Sequence, residues 1–344
     1  MQKIFTAATE GERCYAVYAG EDPAPTLAEL WQPRWRQAAI LGDSNTAPLF
    51  AAPLAAALQP HCDQVLRIDF PAGEPHKTRE TKQVLEDRLL GAGFDRHGCL
   101  VAVGGGVTLD LVGFTAATLL RGVAHVNVAT SLLAQADAAL GGKTAVNTPD
   151  GKNLIGALHP PRAVLIDLGA LSSLPLEERR NGLAEVIKHA VVGDAQLFRA
   201  IERWMPTGAA NGLLPPESVI IRCVQIKGEV VAADPSETAE RQALNFGHTV
   251  AHALETATAH ELAHGEAVAI GMVVEAHLAQ RLCAFPADQI RALVDLLQRI
   301  GLPTRPPLPF DSAIARLLRH DKRTRERTLY CALPRRIGAM DRAA

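Results

Sequence analysis

The chain has 344 residues, 48% of them hydrophobic and 21% charged, with 35 basic against 37 acidic side chains and a formal net charge of −2. That is enough for one large or two medium domains around a substantial core. The charge balance excludes a nucleic-acid coat or an anionic membrane surface as the main partner, so any anionic ligand must meet a local cluster of Lys and Arg.

In chain order, QAAILGDSN (37–45) reads as a short buried strand ending in a polar turn. TAPLFAAPLAAALQP follows with helical spacing and stops at a proline. QVLRIDF (64–70) is a second strand, and TRETKQVLEDRLLGAGF (78–94) an amphipathic helix closed by glycine. GCLVAVGGG (98–106) is a buried strand running into glycines; VAHVNVATS (123–131) and RAVLIDLGAL (162–171) are further strands. Strands alternating with helices predict crossover units and a mostly parallel sheet. Near LSSLPLEERR (171–180) the pattern turns mainly helical: GLAEVIKHAVV, PESVIIRCVQIKGEVVAAD, a histidine-rich stretch at 244–272, and ADQIRALVDLLQRIG. A proline-rich connector (302–311) leads to a helix around DSAIARLLRHD and a strand-like TLYCALP. The reading is an α/β domain, 1–174, followed by a mainly helical domain, 175–344, with no internal repeat. The six cysteines are scattered without a CxxC pair. The N-terminus has no apolar h-region, and no segment approaches the roughly 18 unbroken apolar residues of a membrane span. A reduced, soluble, cytoplasmic protein is expected.

Three stretches carry candidate chemistry. In VAVGGGVTLDLVGF, three glycines follow a buried strand and precede a helix, where backbone can approach a ligand and free N–H groups face a phosphate. The spacing is not GxGxxG, so a tight strand-to-helix turn stays open as the plain alternative. DAALGGKTAVNTPDGKNLIG (137–156) frames Lys143 and Lys152 with glycines beside Asp137 and Asn153. It is no P-loop; its lysines are an anion site or a solvated face. The stretch LNFGHTVAHALETATAHELAHGEAVAIGM holds His248, His252, His260 and His264. His248 and His252 are four apart and share a helix face, so spacing alone nominates them as a metal pair. His264 sits where a helix start could aim it inward, and His260 reads as surface. GLAEVIKHA adds Glu185 and, one turn on, Lys188, which need partners if buried.

These residues resemble the 3-dehydroquinate synthase family, the sugar-phosphate cyclases that use NAD and a divalent metal. The resemblance runs from about Gly42 to Gly338, through GEPHKT, GGGVTLDLVGFTAATLLRG, TSLLAQADAALGGKTAVN, GKNLIGALHPP, GLAEVIKHA, LNFGHTVAHALE, HGEAVAIGM and HDKR. It implies a Rossmann-like α/β NAD-binding domain followed by a helical domain. It implies zinc or cobalt held by Glu185, His248 and His264, with His252 beside the substrate phosphate, and so overrides the spacing argument. Asp43, Gly73, Glu74 and Lys77 match the adenosine side of an NAD site. Gly105, Gly106, Val107 and Asp110 match its pyrophosphate and ribose contacts, and Thr130, Ser131, Lys143, Lys152 and Ser173 further cofactor contacts. Asp137, Lys143, Lys188, Arg241 and His252 match catalytic positions. Lys152, Asn153, Lys227, Asn245 and Lys322 match the substrate pocket, and Arg121 a residue supplied across a homodimer interface.

The implied activity converts 3-deoxy-arabino-heptulosonate 7-phosphate to 3-dehydroquinate by transient oxidation, phosphate elimination, reduction and aldol closure. Departures from the family pattern are Leu109 and Ala145 for glycine, Ala129 for proline, and Pro235 and Ala239 for Glu and Gly. Leu109 either narrows the cofactor site or repacks its turn. The rival readings are a cyclase acting on sedoheptulose 7-phosphate or glucose 6-phosphate, a non-catalytic paralogue, and a metal-dependent polyol dehydrogenase.

Overall fold

The computed structural model describes residues 1–8, 14–149, 151–234, 240–258, 261–309, 311–320, 324–325 and 328–341. Two compact units divide it, Met1–Leu174 and Pro175–Ala344.

The first unit is built on seven strands: β1 (Gln2–Ala8), β2 (Cys14–Gly20), β3 (Gln37–Asp43), β4 (Gln64–Phe70), β5 (Cys99–Gly104), β6 (Ala124–Ala129) and, after a hairpin of β7 (Lys143–Thr148) and β8 (Gly151–Leu158), β9 (Ala163–Asp167). The sheet order is β1-β2-β9-β6-β5-β3-β4, antiparallel at β1–β2 and parallel elsewhere. Helices α1 (Pro23–Leu30), α2 (Ala47–Leu58), α3 (Arg79–Gly91) and α4 (Gly106–Thr118) supply the crossovers. β5 and β9 are buried at every residue, as strands covered on both faces must be, which is why they read as unbroken apolar runs. From β3 the chain steps to β4 on one side, then returns to β5 on the other. The crevice between β3 and β5 is therefore the switch point, where an open α/β sheet receives ligands at its carboxyl ends. The stretch that frames Lys143 and Lys152 is the hairpin β7–β8, whose strand pattern the sequence hides because Gly-Gly-Lys and Pro-Asp-Gly-Lys punctuate its short strands.

A buried histidine sits inside this unit. His125 on β6 is 1% exposed and stacks on His159 with ring centroids 5.2 Å apart. Burial, aided by His159 and Arg162, pushes its pKa down to about 3. The unfolded chain takes up that proton near pH 6.5 and the fold does not, so the stabilisation is complete above pH 6.5 and lost progressively between pH 6.5 and 3. Moving from pH 7 to pH 5 should remove about 2 kcal/mol through this residue alone. Urea unfolding of wild type and His125→Phe at both pH values checks it: the variant should show that much less acid loss.

The second unit holds α5 (Leu176–Gly193), α6 (Ala195–Ala210), α7 (Glu217–Ala233), α8 (His248–Ala257), α9 (His264–Leu282), α10 (Ala287–Ile300) and α11 (Ser312–His320). Two-stranded pairs follow, β10 (Thr324–Arg325) with β11 (Thr328–Leu329) and β12 (Pro334–Arg336) with β13 (Ala339–Met340). The histidine-rich stretch, read as one helix-like segment, is two helices joined across 258–263. α5 starts after Pro175 with Glu177 and Glu178 in its first turn, where carboxylates favour a helix, and from Gly182 to Val192 it is buried on all sides. No helix among the described residues is long and apolar enough to cross a membrane.

Candidate active site

At the β3–β5 crevice, Asp43 ends β3 and its carboxylate organises the mouth. Oδ1 accepts the Asn45 and Thr46 N–H groups, each at 2.9 Å, and Oδ2 accepts the Thr108 hydroxyl of α4 at 2.9 Å. Gly105 caps α4 without a side-chain hydrogen bond, so the first-turn N–H groups of Gly106, Val107 and Thr108 face outward from the helix start. A Cβ on Gly105 would stand 3.1 Å from Ser131 Oγ, and one on Gly106 3.3 Å from Ala138 Cβ. The turn passes so close to its neighbours that a side chain would crowd it, leaving bare backbone at a helix N-terminus. That arrangement suits the pyrophosphate of a dinucleotide. Thr130 donates its N–H to Gly104 at 3.1 Å, placing Ser131 beside the turn. Leu109, one position into the buried face, is 2% exposed. It packs inside the unit rather than lining an open surface.

A polar chain runs alongside. Gly73 turns at φ 100°, and Glu74 accepts the Asn147 amide at 2.7 Å. Asn147 in turn accepts the Asn153 N–H at 3.1 Å. Lys77, 3% exposed, reaches both Asp110 and Asn153, each at 2.5 Å. Lys77, Asp110 and Asn153 thus form one cluster, although the sequence reading split them between cofactor and substrate. Lys143 opens β7 and Lys152 lies on β8. Asp137 lies in the short turn Ala134–Ala138, and Ser173 donates its hydroxyl to the Ala170 carbonyl at 2.9 Å. Arg121 is exposed at the end of the 3-10 turn Leu119–Arg121 that follows α4, at φ 67° between Leu120 (51°) and Gly122 (114°).

In the second unit, three helices bring together Glu185 (α5), His248 (first residue of α8) and His264 (first residue of α9). Glu185 Oε1 lies 3.4 Å from His248 Nε2 and 3.5 Å from His264 Nε2, and all three donor atoms fall within 4.8 Å of one another. His252, one turn beyond His248, meets it edge-on with ring centroids 5.7 Å apart and lies outside this group. Glu185 is fully buried and also ion-paired with Lys188, itself 2% exposed.

The protonation of the cluster shows what ligand it suits. Burial, with the Lys188 ammonium, holds His248 well below its usual value, so the ring is neutral. Its Nδ1 lies 3.3 Å from the Phe246 carbonyl, which can only accept. Nδ1 therefore carries the proton, and the Nε2 lone pair points at a carboxylate oxygen. Two acceptors face each other, a contact that is favourable only with a cation between them. Burial works against charge on His264, yet hydrogen bonds to Glu185 and Glu255 outweigh it and push its pKa up to about 10, so the two carboxylates favour positive charge at this ring. One carboxylate and two imidazoles are the donor set of a catalytic divalent metal, which leaves coordination positions for substrate or water. Glu255, 2% exposed, takes His264 Nδ1 at 3.4 Å, the support that metal-bound imidazoles usually have. Sequence reading missed Glu255, although it lies seven residues, two turns, after His248 on the same face. Lys227 on α7 and Arg241 are both buried, and the Arg241 N–H donates to Asp234 at 3.1 Å; Asn245 is half-buried just before α8. Lys322 and His260 lie outside the described residues.

An α/β unit with a glycine turn at its switch point, and a helical unit with a carboxylate–imidazole cluster, define a nucleotide- and metal-site class of enzyme fold. Sequence profiles name it. The 3-dehydroquinate synthase N-terminal profile matches residues 67–181 and the C-terminal profile residues 182–324. The 3-dehydroquinate synthase of Symbiobacterium thermophilum is 40% identical over 333 residues, covering 95% of this chain and 93% of the relative. That of Geobacter metallireducens is 40% identical over 331 residues, covering 95% and 92%. Among solved structures, 2-epi-5-epi-valiolone synthase from Streptomyces hygroscopicus with NAD+ and Zn2+ bound superposes with TM-score 0.85 at 30% identity, covering 98% of this chain and 94% of that one. A 2-deoxy-scyllo-inosose synthase complexed with carbaglucose-6-phosphate, NAD+ and Co2+ gives 0.84 at 28% identity, covering 98% and 93%. A glycerol dehydrogenase from Schizosaccharomyces pombe, 15% identical at TM-score 0.66, shares the fold. The chain belongs to the 3-dehydroquinate synthase family.

Proposed function

We propose that this chain is a carbon–oxygen lyase that converts 3-deoxy-arabino-heptulosonate 7-phosphate to 3-dehydroquinate and phosphate, with NAD and a zinc or cobalt ion as cofactors. The observation that carries the reading is the Glu185–His248–His264 cluster, three metal-ligating side chains whose donor atoms lie within 4.8 Å of one another, in a chain 40% identical to such synthases. When bound, NAD supplies a hydride acceptor that is restored within the cycle, and the metal supplies a Lewis acid for the hydroxyl being oxidised.

The chain's own residues do the rest. His248 Nε2, His264 Nε2 and Glu185 hold the ion, with the Phe246 carbonyl and Glu255 fixing the two rings. The bare first turn of α4 takes the pyrophosphate, with Asp43, Glu74, Lys77, Asp110, Thr130 and Ser131 around the nucleotide. Lys77 holds Asn153 by its oxygen, which leaves the Asn153 amide N–H groups to donate to an anion. Lys152, Asn153, Asn245, His252 and Lys322 bind the phosphate. His252 donates to the leaving group, and Asp137, Lys143 and Lys188 serve the proton transfers. Lys227 and Arg241 bind the carboxylate. Their burial supports a substrate with a carboxylate beside its phosphate, which distinguishes this reading from cyclases of neutral sugar phosphates. The same reading makes the enzyme a cytoplasmic homodimer, with the exposed Arg121 reaching the partner.

Phosphate release is the test. With NAD and Zn2+ or Co2+, 3-deoxy-arabino-heptulosonate 7-phosphate should yield phosphate without net NADH. Sedoheptulose 7-phosphate and glucose 6-phosphate should yield little. Steady NADH accumulation would identify a dehydrogenase instead, and phosphate from the neutral sugars alone would identify another cyclase.

A further inference from the structure

His264, Val268, Gly271 and Glu275 lie at i, i+4, i+7 and i+11 on one face of α9. That face meets the start of α8 backbone to backbone. A Cβ on Gly247 would stand 2.9 Å from the Met272 nitrogen and 3.0 Å from the Val268 oxygen, and one on Gly271 would overlap the Gly247 carbonyl. Gly247 is also at φ 82°. Two glycines thus allow a contact that any side chain would prop open.

The approach delivers Glu275 beneath the helix start. Glu275 is 1% exposed; its Oε2 accepts the Gly247 N–H at 2.7 Å and its Oε1 lies 3.3 Å from the Val250 nitrogen as acceptor. Gly247 caps α8 and has no side chain to satisfy the first-turn N–H groups. A carboxylate borrowed from α9 does so, at the end of the helix where negative charge is favoured. The two N–H donors bracket His248.

We propose that Glu275 is the positioning residue for His248, clamping the backbone on both sides of the residue that presents Nε2 to Glu185. The exchange is reciprocal: α9 lends Glu275 to the turn carrying His248, and α8 lends Glu255 to the ring of His264. The inference rests on the metal reading above.

Cobalt serves as the probe, because the visible bands of bound Co2+ report ligand geometry. Metal-free wild type, Glu275→Gln and Leu293→Ala are titrated with Co2+ and their unfolding temperatures measured. Leu293 is fully buried on α10 and controls for lost stability alone. Glu275→Gln keeps the shape but loses one acceptor. It should bind Co2+ about tenfold to a hundredfold more weakly, with shifted bands. Leu293→Ala should unfold at lower temperature with wild-type affinity and bands. Wild-type affinity and bands in Glu275→Gln would overturn the proposal, whatever its unfolding temperature. No cobalt uptake by wild type would overturn the metal reading itself, and this inference with it.

Discussion

Replacing His264 with alanine is expected to strip the metal and abolish turnover, while replacing His252 leaves the metal in place. His264 contributes one of three donor atoms, its Nε2 lying 3.5 Å from Glu185 Oε1. Without it two protein ligands remain, too few for a catalytic divalent site, and affinity should fall by at least about a hundredfold. The substitution also leaves Glu255 buried without its imidazole partner, which adds a stability loss. His252 stands one turn away with its ring edge-on to His248, outside the donor group. His252→Ala should keep near one metal per chain and slow phosphate release by roughly 100- to 10,000-fold, the range of a lost proton donor. Elemental analysis of the purified variants, alongside a phosphate assay, separates the two. If His252→Ala lost the metal and His264→Ala kept it, the pair four residues apart would be the true site.

That contrast shows what the sequence could and could not reveal. Strands β3, β5 and β9 were legible because burial on both faces leaves nearly continuous apolar runs, and β6 because Val126 and Val128 supply β-branched residues beside the buried His125 and Asn127. The hairpin of β1 and β2 was missed, since QKIFTAA and CYAVYAG flank a charged, glycine-containing stretch that gives no tight-turn signal. Periodicity reports faces of one helix. It cannot report that α5, α8 and α9 converge, so spacing nominated His248 with His252. The residues alone offered Glu185 and His264 as candidates, and it took the resemblance to a family to join them to His248 as the ligand set. Glu255 and Glu275 had a signal that went unread. Each is an acid at a two- or three-turn spacing from a histidine, on an otherwise apolar helix face, and a buried carboxylate there needs the partners it proves to have.

Leu109→Gly, a change toward the residue usual in the family, is expected to destabilise the chain severely and leave NAD binding no tighter. If the side chain crowded the cofactor, it would border space open to a ligand. It is instead 2% exposed, in a helix whose neighbours Thr108, Leu111, Val112, Thr115 and Ala116 are buried as well. α4 already packs closely on the hairpin at Gly113, where a Cβ would stand 2.5 Å from Thr144 Cγ2. A second glycine four residues earlier would open a cavity the rigid sheet beneath cannot collapse to fill. Truncating a buried leucine removes about 2–5 kcal/mol, and glycine within a helix about 1 more. Against a total stability of about 5–15 kcal/mol, that is a large fraction. The same substitution loosens the first turn of α4, whose fixed N–H groups are what a pyrophosphate would meet, so affinity should stay level or fall. Urea unfolding gives the stability loss, and calorimetric titration with NAD, at a temperature where both forms are folded, gives the affinity. Tighter binding by Leu109→Gly would show that the leucine crowds the cofactor after all.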